Sequence, residues 1–282
     1  MHARGGLTRL VPVRSVEEMK KSRASILAPG LRRAIAPCAV IAAVAVLGGC
    51  APSPTTTYLD PSGAEVTVDW ADYPGSPGLD ATDVPSAPSK EDIEQVESAL
   101  IAEIEQALGT EFDLDLQPSG EARWFPAGGN GYGGESAYVV FNSQDHVSDT
   151  VPRGADDWRR VIDIVSGITD TGGLGPVELD HERADADAGY LFEQFGTDEP
   201  DDYWQWTGAA YGSSQWLSIA LTDVAKDGSG EAAKEWRDGS WPAQSIAISS
   251  GATTLPRGEL AGFEHRLAPF SGLDMPPTTT SD

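Results

Sequence analysis

The sequence predicts an α+β fold, an antiparallel sheet with two helices packed on one face. Three observations lead there. Apolar residues recur at helical spacing in two stretches, from Ile93 to Leu108 and from Trp158 to Ile168. Several other apolar runs alternate with polar residues, the period of a half-buried strand. In the C-terminal half these runs follow one another without intervening helices, which favours antiparallel pairing.

Each element has a local reason. Residues 50–88 read as a tether, because seven prolines (Pro52, Pro54, Pro61, Pro74, Pro77, Pro85, Pro88) oppose both helix and sheet. Fully extended, the tether would reach on the order of 100 Å. One island interrupts it: Tyr58 to Val68 carries a turn at Asp60-Pro61-Ser62-Gly63 followed by strand alternation. Such a hairpin is ordered only if it docks on something larger. The globular domain is set at 89–270. Ser89 is placed to cap the first helix, Glu91 and Asp92 suit its positive end, and Gly109 supplies the stop. Glu94, Glu97, Glu103 and Glu105 make its wet side. Phe112, Leu114 and Leu116 alternate with acids as a strand. Arg123-Trp124-Phe125 and Ala137 to Phe141 flank a glycine-rich loop expected to be flexible. The second helix follows Pro152, with Asp156 and Asp157 at its N-terminus and Gly172-Gly173 at its end. Val177 to Asp180, Tyr203 to Thr207, Gln215 to Leu221 and Ser245 to Ser249 are the later strands, and Gly251 to Pro256 is rich in turn residues. Residues 271–282 are expected to be a disordered tail.

The N-terminal region points to an address. Arg32-Arg33 precede Ala34 to Leu47, a low-polarity stretch of 14 residues, and small residues follow, the layout of a secretory signal over residues 1–49. The stretch is shorter than the roughly 20 residues that span a bilayer, and Pro37 interrupts it. Met19-Lys20-Lys21-Ser22 has the form of a signal start, so translation is expected to begin at Met19. Cys50 follows Leu47-Gly48-Gly49, which resembles the lipobox of bacterial lipoproteins. That resemblance implies a thioether-linked diacylglycerol on Cys50 and a mature protein anchored on the extracytoplasmic face of the cell membrane. Two acyl chains suffice for stable anchoring. Cys38 would leave with the signal, so no disulfide is expected.

Composition narrows the partners. The chain has 19 basic and 44 acidic residues, and residues 1–49 hold 8 and 2 of them, leaving 11 basic against 42 acidic after the signal. So acidic a surface argues against nucleic acid, whose binding relies on Lys and Arg. It also argues against electrostatic adhesion to anionic lipid.

No catalytic set, metal centre or cofactor site emerges. Gly129-Asn130-Gly131-Tyr132-Gly133-Gly134 spells G-x-G-x-x-G, but a strand follows where a pyrophosphate site needs a helix. Asp185-Ala186-Asp187-Ala188-Gly189 opens like a calcium loop without its remaining ligands. His181-Glu182 lacks the second histidine of a zincin, and neither G-x-S-x-G nor S-x-x-K is present. Paired carboxylates of a glycoside hydrolase remain a remote reading, with Glu178, Asp180, Glu193, Asp201 and Asp202 as candidates. Candidate ligand-binding residues are the aromatics Trp204, Trp206, Tyr211 and Trp216, with Tyr132 in the glycine loop. Such rings stack on sugars, and equally form the core of a sheet.

The order of parts resembles the LppA-like lipoproteins of actinobacteria. The shared elements are the Cys50 lipobox, a Pro-rich tether, a helix after Ser89, the Arg123-Trp124 strand with its Gly-Tyr-Gly loop, the Trp158 helix, and a last strand running through Ser249 to Pro256. Where that family often has Cys after the glycine, this chain has Ala252. The resemblance implies a small α+β surface domain and carries over no catalytic residues. The expected function is a non-catalytic envelope protein that binds a protein or cell-wall component. The alternative is a glycan- or small-ligand-binding lipoprotein that uses its aromatics.

Overall fold

The computed structural model of the chain describes residues 52–279. Met19, Cys38, Cys50 and the apolar stretch 34–47 lie outside the described residues. The fold is α+β and the sheets are antiparallel.

The central sheet is organised by one long strand, β10 (Gln244–Thr254). On one side it pairs with β9 (Gln215–Asp223), which pairs in turn with β8 (Gln205–Tyr211) and then β7 (Glu178–Leu179). On the other side β10 is shared. Ile246–Ile248 pair with β6 (Asp145–Ser148), which carries β3 (Gln117–Ser119). Gly251–Thr254 pair with β5 (Val139–Asn142), which carries β4 (Arg123–Pro126). The stretch expected to be turns after Gly251 is therefore strand. Its residues Gly251 to Leu255 are buried, and a second partner strand holds their backbone.

Two helices cover one face of this sheet, α2 (Ile93–Phe112) and α3 (Ala155–Thr171). They bury Ile101, Ile104, Leu108, Trp158, Val161 and Val165 against Trp206, Leu217, Ile219, Leu221, Ile246 and Ile248. The alternation in β9 explains the geometry: Leu217, Ile219 and Leu221 face the helices, while Trp216, Ser218 and Ala220 turn to the other side. The first helix runs past Gly109 to Phe112 and stops at Asp113, whose φ of 57° breaks the repeat while its N–H bonds to the Gly109 carbonyl. Ser89 donates to Asp92 instead of accepting from the helix backbone. Leu114 and Leu116 are buried, but on an irregular segment before β3. The C-terminal half also contains short helices that the β-like pattern concealed, α4 (Ala188–Phe195), α5 (Glu231–Gly239) and α6 (Leu260–Leu267).

The tether expectation for 50–88 is overturned in its described part. β1 (Thr55–Leu59) and β2 (Glu65–Asp69) form the hairpin, and α1 (Asp83–Ser86) follows. Asp60 closes the turn, its Oδ1 accepting from the Ser62 and Ala64 N–H groups, with Gly63 at φ 86°. The hairpin leads into a second core of Val68, Trp70, Tyr73, Val84, Tyr132, Tyr138, Leu255, Phe263 and Phe270. Burying two large aromatics offsets the poor backbone propensity of the proline-rich chain. The tail is likewise packed as far as described. Tyr132 Oη donates to the Pro276 carbonyl at 3.0 Å, and Thr279 N–H donates to the Gly131 carbonyl at 3.0 Å.

Candidate functional site

The glycine loop is a clasp and not a flexible turn. Asn130 is fully buried, with its Nδ2 within 2.8–3.0 Å of the carbonyls of Trp70, Ala71 and Tyr73. Its Oδ1 accepts from the Tyr132 and Gly134 N–H groups, both at 3.0 Å. One amide side chain thus closes its own loop and holds the 70–73 backbone. A Cβ on Gly134 would lie 1.8 Å from the Ala71 carbonyl oxygen, so only glycine admits this approach.

The clasp fixes an aromatic cluster. Trp70 lies 5.1–5.5 Å from the rings of Tyr73, Tyr132 and Phe270, and Tyr73 lies 5.4 Å from Phe270. Beside it opens a groove of about 630 Å³ between the 70–82 segment and the α6-to-tail segment. Leu79, Leu267, Leu273 and Met275 line it together with the edge of the buried cluster, and Asp80 and Glu264 are its charges. Its volume is that of a site for a small organic molecule.

One polar atom in this cluster has no partner. Tyr73 is 2 % exposed, and its Oη makes no hydrogen bond. The Tyr138 hydroxyl is also unpaired. Burial raises the pKa of both phenols, and the nearby Asp80 charge adds to the effect. Both therefore stay protonated and able to donate. Asp80 is held in place through Oδ1, which accepts from the Thr82 N–H and hydroxyl at 2.8 Å each, and its pKa is lowered by those bonds.

The aromatics expected to bind ligand are dispersed. Trp206 is 1 % exposed, its ring edge-on to Trp158 at 5.4 Å and its Nε1 donating to the Pro200 carbonyl. Trp204 packs on Trp236 in a separate small core. Tyr132 belongs to the aromatic cluster, with its ring buried and its hydroxyl bonded to Pro276. These three rings are structural, because every large face is spent on a neighbour. Trp216 lies across Gly251 on the sheet face away from the helices, where a Cβ would meet its Cζ2 at 2.3 Å. Tyr211 alone is open, at 64 % exposure.

Three of the candidate carboxylates have partners of their own. Asp201 pairs with Arg159, and its carbonyl accepts from Lys226 Nζ at 2.7 Å. Asp180 accepts from the Thr207 hydroxyl at 2.5 Å, and Glu178 faces Arg183. Lys226 and Arg159 lie over the Trp158 and Trp206 rings, so this charged edge braces the aromatic core. His181 is wedged against Tyr203 and Trp206, and burial lowers its pKa. In the calcium-like stretch, Asp187 caps α4 by accepting from the Gly189 and Tyr190 N–H groups.

Sequence reasoning also assigned an acidic residue to the wrong environment. Glu97, expected on the wet side, is 2 % exposed beneath α2. Its Oε1 accepts from Gln215 Nε2 at 3.1 Å. Its Oε2 and the neighbouring Ser250 Oγ lack well-formed bonds. Burial raises its pKa, and the Ser250 and Gln215 groups only partly oppose this. A proton on Oε2, shared with Ser250 Oγ, would satisfy both atoms. Trp70, Tyr73 and Asp80 were missed altogether because they sit among prolines without periodicity; the one available signal was two aromatics three residues apart in an otherwise polar stretch. Comparison with known proteins finds no match, whether with family models, curated proteins or solved structures.

Proposed function

We propose that this chain is a non-catalytic binding protein of the cell envelope, anchored to the extracytoplasmic face of the membrane by lipid on Cys50. The groove supports binding: a cavity of about 630 Å³ lined by Leu79, Leu267, Leu273 and Met275 together with Asp80 and Glu264, next to a cluster in which the buried Tyr73 hydroxyl is left unpaired. Native proteins leave few such groups without a partner. The anchor rests on Leu47-Gly48-Gly49-Cys50 and on the likeness to LppA-like lipoproteins.

A second reading, docking of a protein or wall glycan, is favoured by the exposed aromatics Tyr190, Phe192 and Tyr211. Exposed rings of this kind are typical anchors at protein interfaces.

Acyl labelling in cells tests the anchor. The wild-type chain is expected to take up labelled fatty acid and shift in size on processing. Cys50→Ala is expected to lose the label and persist as precursor. Label retained in Cys50→Ala overturns the anchor.

A further inference from the structure

We infer that the sheet face turned away from α2 and α3 binds an uncharged saccharide chain, centred on Trp216. The inference rests on the second reading above, docking of a protein or wall glycan, and decides between those two partners. Strand register builds one row across this face: Asn142 on β5, Gly251 on β10, Trp216 on β9 and Tyr211 on β8. Three strand spacings make the row on the order of 14 Å long. Gly251 has no side chain, and the Trp216 indole fills the space above it. A Cβ there would lie 2.3 Å from Cζ2 and 2.5 Å from Cε2. The indole is therefore laid along the sheet across β10, and the glycine permits it.

This indole is not spent on the fold. Trp70, Trp124, Trp158 and Trp206 each donate Nε1 to an acceptor and pack on other rings. Trp216 does neither. It is half-buried, belongs to no buried cluster, and among the described residues has no ring partner and no acceptor for Nε1. The Asn142 amide and the Tyr211 hydroxyl, at the two ends of the row, are exposed and also make no side-chain hydrogen bond among the described residues. In the next row Ser218 and Ser249 place their hydroxyls 3.1 Å apart. Aromatic surface ringed by an amide, a phenol and hydroxyls suits a sugar, which has an apolar C–H face and a rim of hydroxyls.

Charge selects among partners. On this face β8, β9 and β10 carry no charged residue, in a chain with 42 acidic against 11 basic residues after Cys50. Asp223, the one charged residue in these strands, alternates to the helix side. The flanking charges are Arg123 beside Asn142, Glu178 beside Ala209, and Asp145 near Ser249. A basic partner would find no carboxylate at the centre. An acidic one, or a second copy of this chain, would be repelled by the net charge. A protein partner wants an apolar interface core, which one indole among serines and threonines does not supply. A neutral chain of hydroxyls is neither repelled nor left without partners.

The test is a calorimetric titration of the full chain in an uncharged polyoxyethylene detergent. It is run at mildly acidic pH and about 0.3 M salt, where long-range attraction is screened. The probes are four β-linked tetramers: cellotetraose and chitotetraose, both uncharged, the cationic glucosamine tetramer and the anionic glucuronate tetramer. At least one uncharged tetramer is expected to bind, about fivefold tighter than either charged one. Trp216→Leu is expected to weaken it about tenfold. Tyr211→Ala removes a ring that is 64 % exposed, so the fold is kept, and is expected to weaken binding about threefold. Phe192→Ala, an exposed ring on α4, is expected to change nothing. No binding, equal binding of all four tetramers, or binding indifferent to both Trp216→Leu and Tyr211→Ala overturns the inference. A photo-crosslinker at position 211 in cells then separates the two failures. Capture of an envelope protein, with no tetramer bound, removes the saccharide and keeps the docking reading; capture of nothing removes both.

Discussion

The molecule has two cores of different construction. The main one is mostly aliphatic, and it forms where two amphipathic helices cover one face of an alternating sheet. The second is mostly aromatic, and it is gathered from segments near residues 70, 132, 255 and 270 that belong to little regular structure. The first is held by periodic patterning and strand ladders. The second is held by ring contacts and the side-chain bonds of Asn130. Periodic burial yields a closed interior in which, among the described residues, Glu97 Oε2 and Ser250 Oγ are the buried side-chain atoms left unpaired. Aromatic stitching leaves imperfections, including the groove and the unpaired phenols of Tyr73 and Tyr138. The groove proposed for binding lies beside the less regular of the two cores.

Truncating one tryptophan in each core gives the largest effects. Trp158→Ala is expected to cost about 3–5 kcal/mol in a single urea transition, because it opens a cavity under α3. Trp70→Ala should cost a similar amount but unfold in two steps, since the β1–β2 hairpin forms its own two-stranded sheet. Hydrogen exchange should show protection lost first in 55–84 and retained in β9 and β10. One shared transition in Trp70→Ala would merge the two cores into a single cooperative unit.

A smaller change tests the clasp. Asn130→Ala takes its amide donor from the carbonyls of Ala71 and Tyr73, at a cost of about 3 kcal/mol. The loss should concentrate in the second core and leave exchange in α2 and α3 unchanged. Uniform loss of protection across both cores would contradict that division.

The smallest effect lies in the main core. Glu97 is the exception to its apolar pairing, and its raised pKa links stability to pH. Below the unfolded value of 4.5 the carboxyl is protonated in both states, and burial carries no charge penalty. As pH rises from there through the folded value, the unfolded chain releases the proton while the folded chain retains it, and stability falls. Glu97→Gln keeps the shape, the acceptor for Gln215 and a donor for Ser250. It should stabilise the fold by about 1–3 kcal/mol near pH 8, with the gain vanishing below pH 4.5. A gain of equal size at both pH values would show that Glu97 is not the titrating group.

Much of the main core was legible. Val161, Ile162 and Val165 announced α3, and Leu217, Ile219 and Leu221 announced β9, because each period follows directly from backbone geometry. Glu97 was misread for a related reason. It sits on the same helical stripe as Ile93, Ile101 and Ile104, but identity outweighed position when the face was assigned. The short helices α4, α5 and α6 were missed because two turns or so give too few residues for a period to declare itself.

The candidate site was scarcely legible. Trp70 and Tyr73 lie among prolines, and Phe270 lies far along the chain. The named aromatics Trp204, Trp206 and Tyr132 went to cores, because a ring's chemistry does not say which face is free. The sequence by itself determined the two helices, the central strands, the acidic balance and the Cys50 motif. These depend on neighbours within a few residues, where local geometry decides. Only the tertiary structure decided that the proline-rich segment folds back, that Asn130 clasps it, and that a groove with two carboxylates and a buried phenol opens beside it. Those features depend on contacts between distant segments. Their free energy comes from the assembled cluster, and no single stretch of the chain records it.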